Sequence, residues 1–193
     1  MKNIINEEIQ TAIKELNSQR MILHSTDTLP GIACDATSDN AIKKVTQIKN
    51  RKGPFSIILS SINQIERYAC LDTFSIEIIN KILPGPFTVL LKNNYKNKLS
   101  NLVTENSNFI GIRIPKHYFT IELSKNFKKP IITTSINLTS KKPLRNLNKI
   151  PNDFKNILVY NDKITRASRG STILDISNQK ITILRQGDGI YKK

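Results

Sequence analysis

Helical and extended patterns alternate at short range along this chain, and that alternation most restricts what it can fold into. Asn6 followed by Glu7 and Glu8 reads as a helix start, a cap with acids at the positive end of the dipole. Ile9, Ile13 and Leu16 then recur at helical spacing. Residues 21–23 form a short apolar run of strand type. Ser38 or Asp39 caps a second expected helix, with Ile42, Val45 and Ile48 on one face. A strand is expected at 56–59 and helices at 61–68 and 75–83. Pro84-Gly85-Pro86 then stops helical propagation. Beyond it the pattern predicts strands at 87–91 and 109–114, a helix at 118–127, and strands at 131–134, 157–160, 171–176 and 181–184.

The helix–strand alternation early in the chain, with a closing run of strands, predicts an α/β fold: one twisted mixed sheet flanked by helices. Residues 93–108 are polar and Asn-rich and read as an exposed loop with a short turn of helix. Residues 139–153 are basic, carry Pro143 and Pro151, and read as a second long loop. With 193 residues, no internal repeat and no long linker, one domain over 1–193 is the expectation.

Several function classes fall away on composition. No stretch nears the roughly 18 apolar residues of a membrane span. The first 16 residues lack the apolar core of a signal peptide, which places the expected location in the cytoplasm. Cys34 and Cys70 are the only cysteines and fit no metal or disulfide framework, so they read as packed thiols. With two histidines besides, no metal site is expected. The net charge of +15 favours polyanionic ligands: nucleotides, RNA or both.

The common nucleotide loops G-x-x-x-x-G-K-[ST] and G-x-G-x-x-G are absent, and so is the hydrolase elbow G-x-S-x-G. What stands out instead is polar residues closing apolar elements: Ser25 to Gly31 after the first strand, Lys49-Asn50-Arg51-Lys52 at a helix end, Arg113 between Ile112 and Ile114, and Thr133-Thr134-Ser135-Ile136-Asn137. Strand ends are where open α/β sheets bind ligands. Singly, each has a plainer reading: a Thr/Asp turn, a solvated helix end, a surface ion pair, a loop satisfying its own backbone.

In this order the segments resemble the YrdC-like family of threonylcarbamoyl-AMP synthases. The family's P-T-D/E-T-x-Y-G-L stands here as Ser25-Thr26-Asp27-Thr28-Leu29-Pro30-Gly31-Ile32, its K-x-R as Lys49-Asn50-Arg51, and its P-G-P-x-T as Pro84-Gly85-Pro86-Phe87-Thr88. V-R-x-P corresponds to Ile112-Arg113-Ile114-Pro115, and S-T-S-A-N-L-S-G to the run from Thr133 to Ser140. S-T-x-x-D corresponds to Ser171-Thr172-Ile173-Leu174-Asp175, and L-R-x-G to Leu184-Arg185-Gln186-Gly187. The sequence departs from the pattern at His24-Ser25, where Tyr-Pro is frequent, at Pro30 in place of Tyr, and at Ser140 in place of Gly. After Arg51 only Lys52 and Gly53 precede Pro54, a shortening that makes Lys52 the candidate replacement for a nucleotide contact.

The resemblance implies a short stand-alone form with a twisted α/β sheet around a deep basic cavity. It implies L-threonylcarbamoyladenylate synthesis from L-threonine, bicarbonate and ATP with Mg²⁺, supplying downstream threonylcarbamoyl-transfer enzymes in tRNA modification. It also implies roles: Thr28, Arg113 and Ser171 toward threonine; Arg51, Asn137, Arg145 and Arg185 toward ATP; Lys49 and Ser135, with Arg51 and Asn137, as the catalytic set. Two other readings stand beside it. One is a module of the same fold that binds tRNA or double-stranded RNA through phosphates without catalysis; the absence of Trp speaks against base stacking. The other is a carbamoyl-adenylate domain like those of hydrogenase-maturation proteins.

Overall fold

A computed structural model describes residues 2–137, 142–148, 150–162 and 167–192. Five helices occur in it: α1 (Lys2–Asn17), α2 (Asp39–Lys49), α3 (Thr73–Ile82), α4 (Asn101–Thr104) and α5 (Tyr118–Phe127). The strands are β1 (Ile22–His24), β2 (Gly31–Asp35), β3 (Ser56–Ile58), β4 (Phe87–Lys92), β5 (Phe109–Arg113), β6 (Ile131–Ser135), β7 (Leu158–Tyr160), β8 (Thr172–Asp175) and β9 (Thr182–Arg185). They form one nine-stranded sheet in the order β7-β1-β2-β6-β3-β5-β4-β8-β9. The pairs β1/β7, β3/β5 and β4/β8 are parallel and the rest antiparallel, so the sheet is mixed, as the sequence predicts.

Local chemistry accounts for the boundaries of α2 and α3, whereas α1 begins at Lys2, upstream of the start expected at Asn6. Ser38 caps α2 by accepting from the Ala41 amide at 3.3 Å, and Asn50 closes it in the left-handed conformation. Asp72 and Ser75 form a reciprocal capping box at the start of α3. Residues 62–67, within the helix expected at 61–68, wind as a 3₁₀ helix, and the preceding Ser61 makes no capping bond. β2 is a strand that the sequence pattern does not single out. The pattern's closing strands and its helix at 118–127 lie where expected.

Register decides which side chains share a face, because successive residues of a strand point to opposite sides. On one face, Leu23, Ile32, Cys34, Ile57, Val89, Ile112, Ile132 and Leu174 pack with Ala41, Ile42 and Val45 of α2 and Ile78 and Ile79 of α3. On the other, Ile22, Ala33 and Ile131 are covered by Ala12 and Leu16 of α1 and by Leu123 and Phe127 of α5. That second cover reaches only part of its face. Further along, the same face carries Thr133, Ser56, Gly111 and Thr88, which are small and mainly polar. A Cβ on Gly111 would lie 2.7 Å from Ser56 Oγ, so this floor is fitted to glycine. Cys34 is buried and Cys70 exposed, both as free thiols. No helix among the described residues is long and apolar enough to cross a membrane.

Candidate active site

Above that small-residue floor lies a cavity of about 500 Å³. Its walls come from the β1–β2 loop (Thr28, Leu29), the end of α2 (Lys49, Arg51), β5 (Arg113), the end of β6 (Ser135, Asn137), and the β8 and β9 region (Arg169, Ser171, Arg185). A second hollow, of about 520 Å³, is lined mainly by Ile62, Pro84, Ile114, Pro115 and Ile121 and holds none of the cationic motif residues.

Helical periodicity brings Lys49 inward. It stands four residues beyond Val45 on the stripe that buries Ile42 and Val45, and is itself 3% exposed. Its ammonium donates to the Ser135 carbonyl at 2.6 Å and to Asn137 Oδ1 at 2.8 Å. The Ser135 hydroxyl donates to the same Asn137 oxygen at 2.7 Å, so K-x-R and S-x-N meet as one cluster. Burial, with Arg51 adding like charge, lowers the Lys49 amine to about 8. Arg51 follows the helix cap, and its guanidinium lies 5.7 Å from the centre of the Phe55 ring.

Arg113 sits on the cavity face of β5 and is 7% exposed. It donates from Nη2 to Asp27 Oδ1 at 2.8 Å and to Thr28 Oγ1 at 3.2 Å. The other Asp27 oxygen accepts from the Lys116 amide at 2.9 Å, so the carboxylate is occupied outside the cavity lining. The loop that presents Thr28 is anchored from behind. Ser25 O accepts from Thr120 at 3.3 Å and lies 3.0 Å from His24 Nδ1. Burial, chiefly, and the neighbouring His117 push the His24 imidazole down to about 3, so it is neutral.

At the far end of the sheet Arg185 donates to the Ser171 carbonyl at 2.7 Å and to its hydroxyl at 3.1 Å. Thr88 Oγ1 lies 2.8 Å from that same hydroxyl. Gly187 makes the approach possible, since a Cβ there would fall 2.2 Å from the Gly170 carbonyl.

Of the residues singled out in the sequence, Thr28, Lys49, Arg51, Arg113, Ser135, Asn137, Ser171 and Arg185 all line this one cavity. Arg145 is not brought to it: the side chain is exposed and borders a separate recess with Leu144, Asn146 and Asn148. Lys52 is exposed and does not join the lining, and Leu138, Thr139 and Ser140 of the S-x-N segment lie outside the described residues. Arg169 was missed, although it directly precedes the Gly170-Ser171 turn. It lines the cavity and donates to the Gly187 carbonyl at 2.9 Å. Lys49, Arg51, Arg113, Arg169 and Arg185 thus converge, and no carboxylate is among the described lining residues. Such a hollow is built for anions, with hydroxyls and one amide supplying direction.

The family model Sua5_yciO_yrdC, described as telomere recombination, matches residues 14–187. A curated protein of Methanocaldococcus jannaschii named putative threonylcarbamoyl-AMP synthase is 34% identical over 192 residues, covering 95% of this chain and 89% of that protein. The solved structure of H234A/Y235A P. abyssi Sua5 superposes with a TM-score of 0.86 at 23% identity, over 93% of this chain and 56% of that one. P. abyssi Sua5 complexed with L-threonine gives 0.82 at 23% identity, over 93% and 54%. The fold is therefore shared with Sua5, of which this chain spans about half the length.

Proposed function

The chain belongs to the Sua5/YciO/YrdC family, and from that membership we propose that it is an L-threonylcarbamoyladenylate synthase, a nucleotidyltransferase acting as one domain in the cytoplasm. Its substrates are L-threonine, bicarbonate and ATP. The observation that carries the reading is the meeting of five cationic side chains from separate segments around one cavity, with no carboxylate among its described lining residues.

The chemistry needs that arrangement. The threonine amine bonds to the bicarbonate carbon and water leaves, giving a carbamate. A carbamate oxygen then bonds to the α-phosphorus of ATP while the bond to the β-phosphate oxygen breaks, releasing pyrophosphate. Two unit negative charges about 4 Å apart repel by on the order of 4 kcal/mol at a surface-like dielectric, so the reactants meet only where cations offset them. Arg51 and Arg185, with Asn137, suit the nucleotide phosphates, and Arg113, Thr28 and Ser171 suit the amino acid. Lys49 and Ser135 complete the cluster at Asn137 and stabilise charge built at phosphorus. Arg169 lines the same cavity and joins the phosphate-facing cations. Arg145, which is not among the residues lining the cavity, has no assigned role here.

Magnesium does not fit as a resident ion. The described lining offers it no carboxylate, and no group of three His, Cys, Asp or Glu gathers among the described residues. It enters this reading only as part of the nucleotide substrate. The product is a mixed anhydride, so a threonylcarbamoyl-transfer enzyme acting on tRNA is the proposed consumer.

The test is pyrophosphate release from ATP by the purified chain. Release that requires both L-threonine and bicarbonate supports the synthase. Absence of release together with salt-sensitive binding of tRNA or double-stranded RNA replaces it with the binding module.

A further inference from the structure

A cavity that gathers cations must still hold an amine, and the way it does so is written in its hydroxyl protons. A threonine hydroxyl has one proton to give and two lone pairs to receive. Thr26, which is 1% exposed and lies behind the cavity wall, gives its proton to the Leu29 carbonyl at 2.8 Å and accepts from the Thr28 amide at 3.0 Å. Its Oγ1 also lies 3.3 Å from Thr28 Oγ1. With its proton committed, Thr26 can only accept there, so the Thr28 hydroxyl donates to Thr26. Thr28 in turn accepts from Arg113 Nη2 at 3.2 Å. One acceptor site then remains on Thr28, a residue that lines the cavity.

The charged surroundings of that site are mostly cationic. Lys49, Arg51, Arg113, Arg169 and Arg185 line the cavity. The nearby carboxylates are engaged elsewhere: Asp27 with Arg113 and the Lys116 amide, Asp188 with the Arg169 amide and the Ser168 hydroxyl. His24, beside Gly31, is neutral. An ammonium entering such a field meets more like charge than opposite, and no carboxylate among the described lining residues, which favours loss of its proton. A hydroxyl acceptor can bind an N–H without stabilising the charged form as a carboxylate would.

Building on the synthase reading, we propose that the amino-acid substrate is bound with its amine uncharged, its N–H held by the Thr28 hydroxyl as a neutral acceptor, and that Thr26 is the positioning residue that keeps Thr28 in this polarity. On binding, one N–H bond of the ammonium breaks and the proton passes to the buffer. The nitrogen lone pair is then free to bond to the bicarbonate carbon, which a bound ammonium could not do.

The experiment is calorimetric titration of the nucleotide-free protein with L-threonine at about pH 6.5 in CO₂-free phosphate and bis-Tris, whose ionisation heats differ. At that pH the Lys49 amine, lowered to about 8, is already charged, so its proton does not enter the count. The expected result is release of about one proton per threonine bound; binding with no proton released overturns the proposal. Thr26→Val leaves Thr28 free to turn its proton into the cavity and is expected to bind threonine about tenfold more weakly, with Thr26→Ser within about twofold of the parent. A folded Thr26→Val protein with parental affinity overturns the role of Thr26, and if that variant does not fold the proton count decides alone. Proton release without threonine-dependent pyrophosphate release sinks the synthase reading, and with it this proposal. Threonine-dependent pyrophosphate release without proton release sinks the proposal only.

Discussion

The Lys49 ammonium donates to the Asn137 side-chain oxygen across 2.8 Å, tying the end of α2 to the segment after β6 although 88 residues separate them. Asn137 is also the acceptor for the Ser135 hydroxyl at 2.7 Å, so one amide oxygen orients two groups of the site. Asn137→Ala is expected to weaken ATP binding about tenfold or more, the usual cost of a lost bond to a charged group. Calorimetric titration with ATP checks it, and parental affinity would remove Asn137 from the site.

The Lys49 amine, lowered to about 8 by burial and by Arg51, titrates close to physiological pH. A bound triphosphate favours its charged form. ATP binding should therefore take up a proton as pH passes through about 8, and affinity should fall above that pH. Lys49→Arg keeps its charge throughout and should flatten the profile. ATP affinity measured between about pH 6.5 and 9.5 decides the matter: a flat profile for the parent protein would show that Lys49 does not face the phosphates.

Arg113 and Asp27 are buried together, with side chains 8% and 9% exposed. Removing one partner strands a buried charge, and Asp27→Ala is expected to cost about 3–5 kcal/mol of stability, read from urea unfolding. Arg113→Ala or Arg51→Ala should lower turnover at least about tenfold. Near-parental turnover in either would take that arginine out of the mechanism.

Acid should act on this protein through His24. Its folded-state value of about 3 lies below the ordinary 6.5, so the unfolded chain binds the proton more readily between those two values. The stability of a neutral buried His24 is therefore complete above about pH 6.5 and falls by up to about 1.4 kcal/mol per pH unit below it. The urea midpoint of His24→Phe should change less than that of the parent protein on going from about pH 7.5 to 4.5. Identical pH slopes would mean that His24 is solvated.

Much of this was legible in the sequence because it depends on local rules. The stripe of Ile42 and Val45 gave α2 and, one turn on, turned Lys49 inward. Alternation around Arg113 put it on a sheet face. What escaped depends on partners far along the chain. β2 is five residues beginning with a glycine, and it is a strand because β1 and β6 pair on both sides of it. Residues 62–67 read as helical in the sequence, but their apolar spacing fits either winding and does not single out the 3₁₀ form. Arg169 belongs to no quoted motif, and only the glycine beside it at φ 87 marks a turn that brings it to the cavity. Arg145 matched the expected residue type, but the fold leaves it on the outer surface.

The strand order has a consequence for how the protein is made. β1 and β2 pair with each other early, yet the outer side of β2 waits for β6, which starts at Ile131, and that of β1 waits for β7, which starts at Leu158. While the ribosome is still adding those later residues, the nascent hairpin offers two unpaired backbone edges to its surroundings. A chain of this topology is therefore most vulnerable to wrong partners during synthesis, and chaperone dependence should show there before it shows in the finished enzyme.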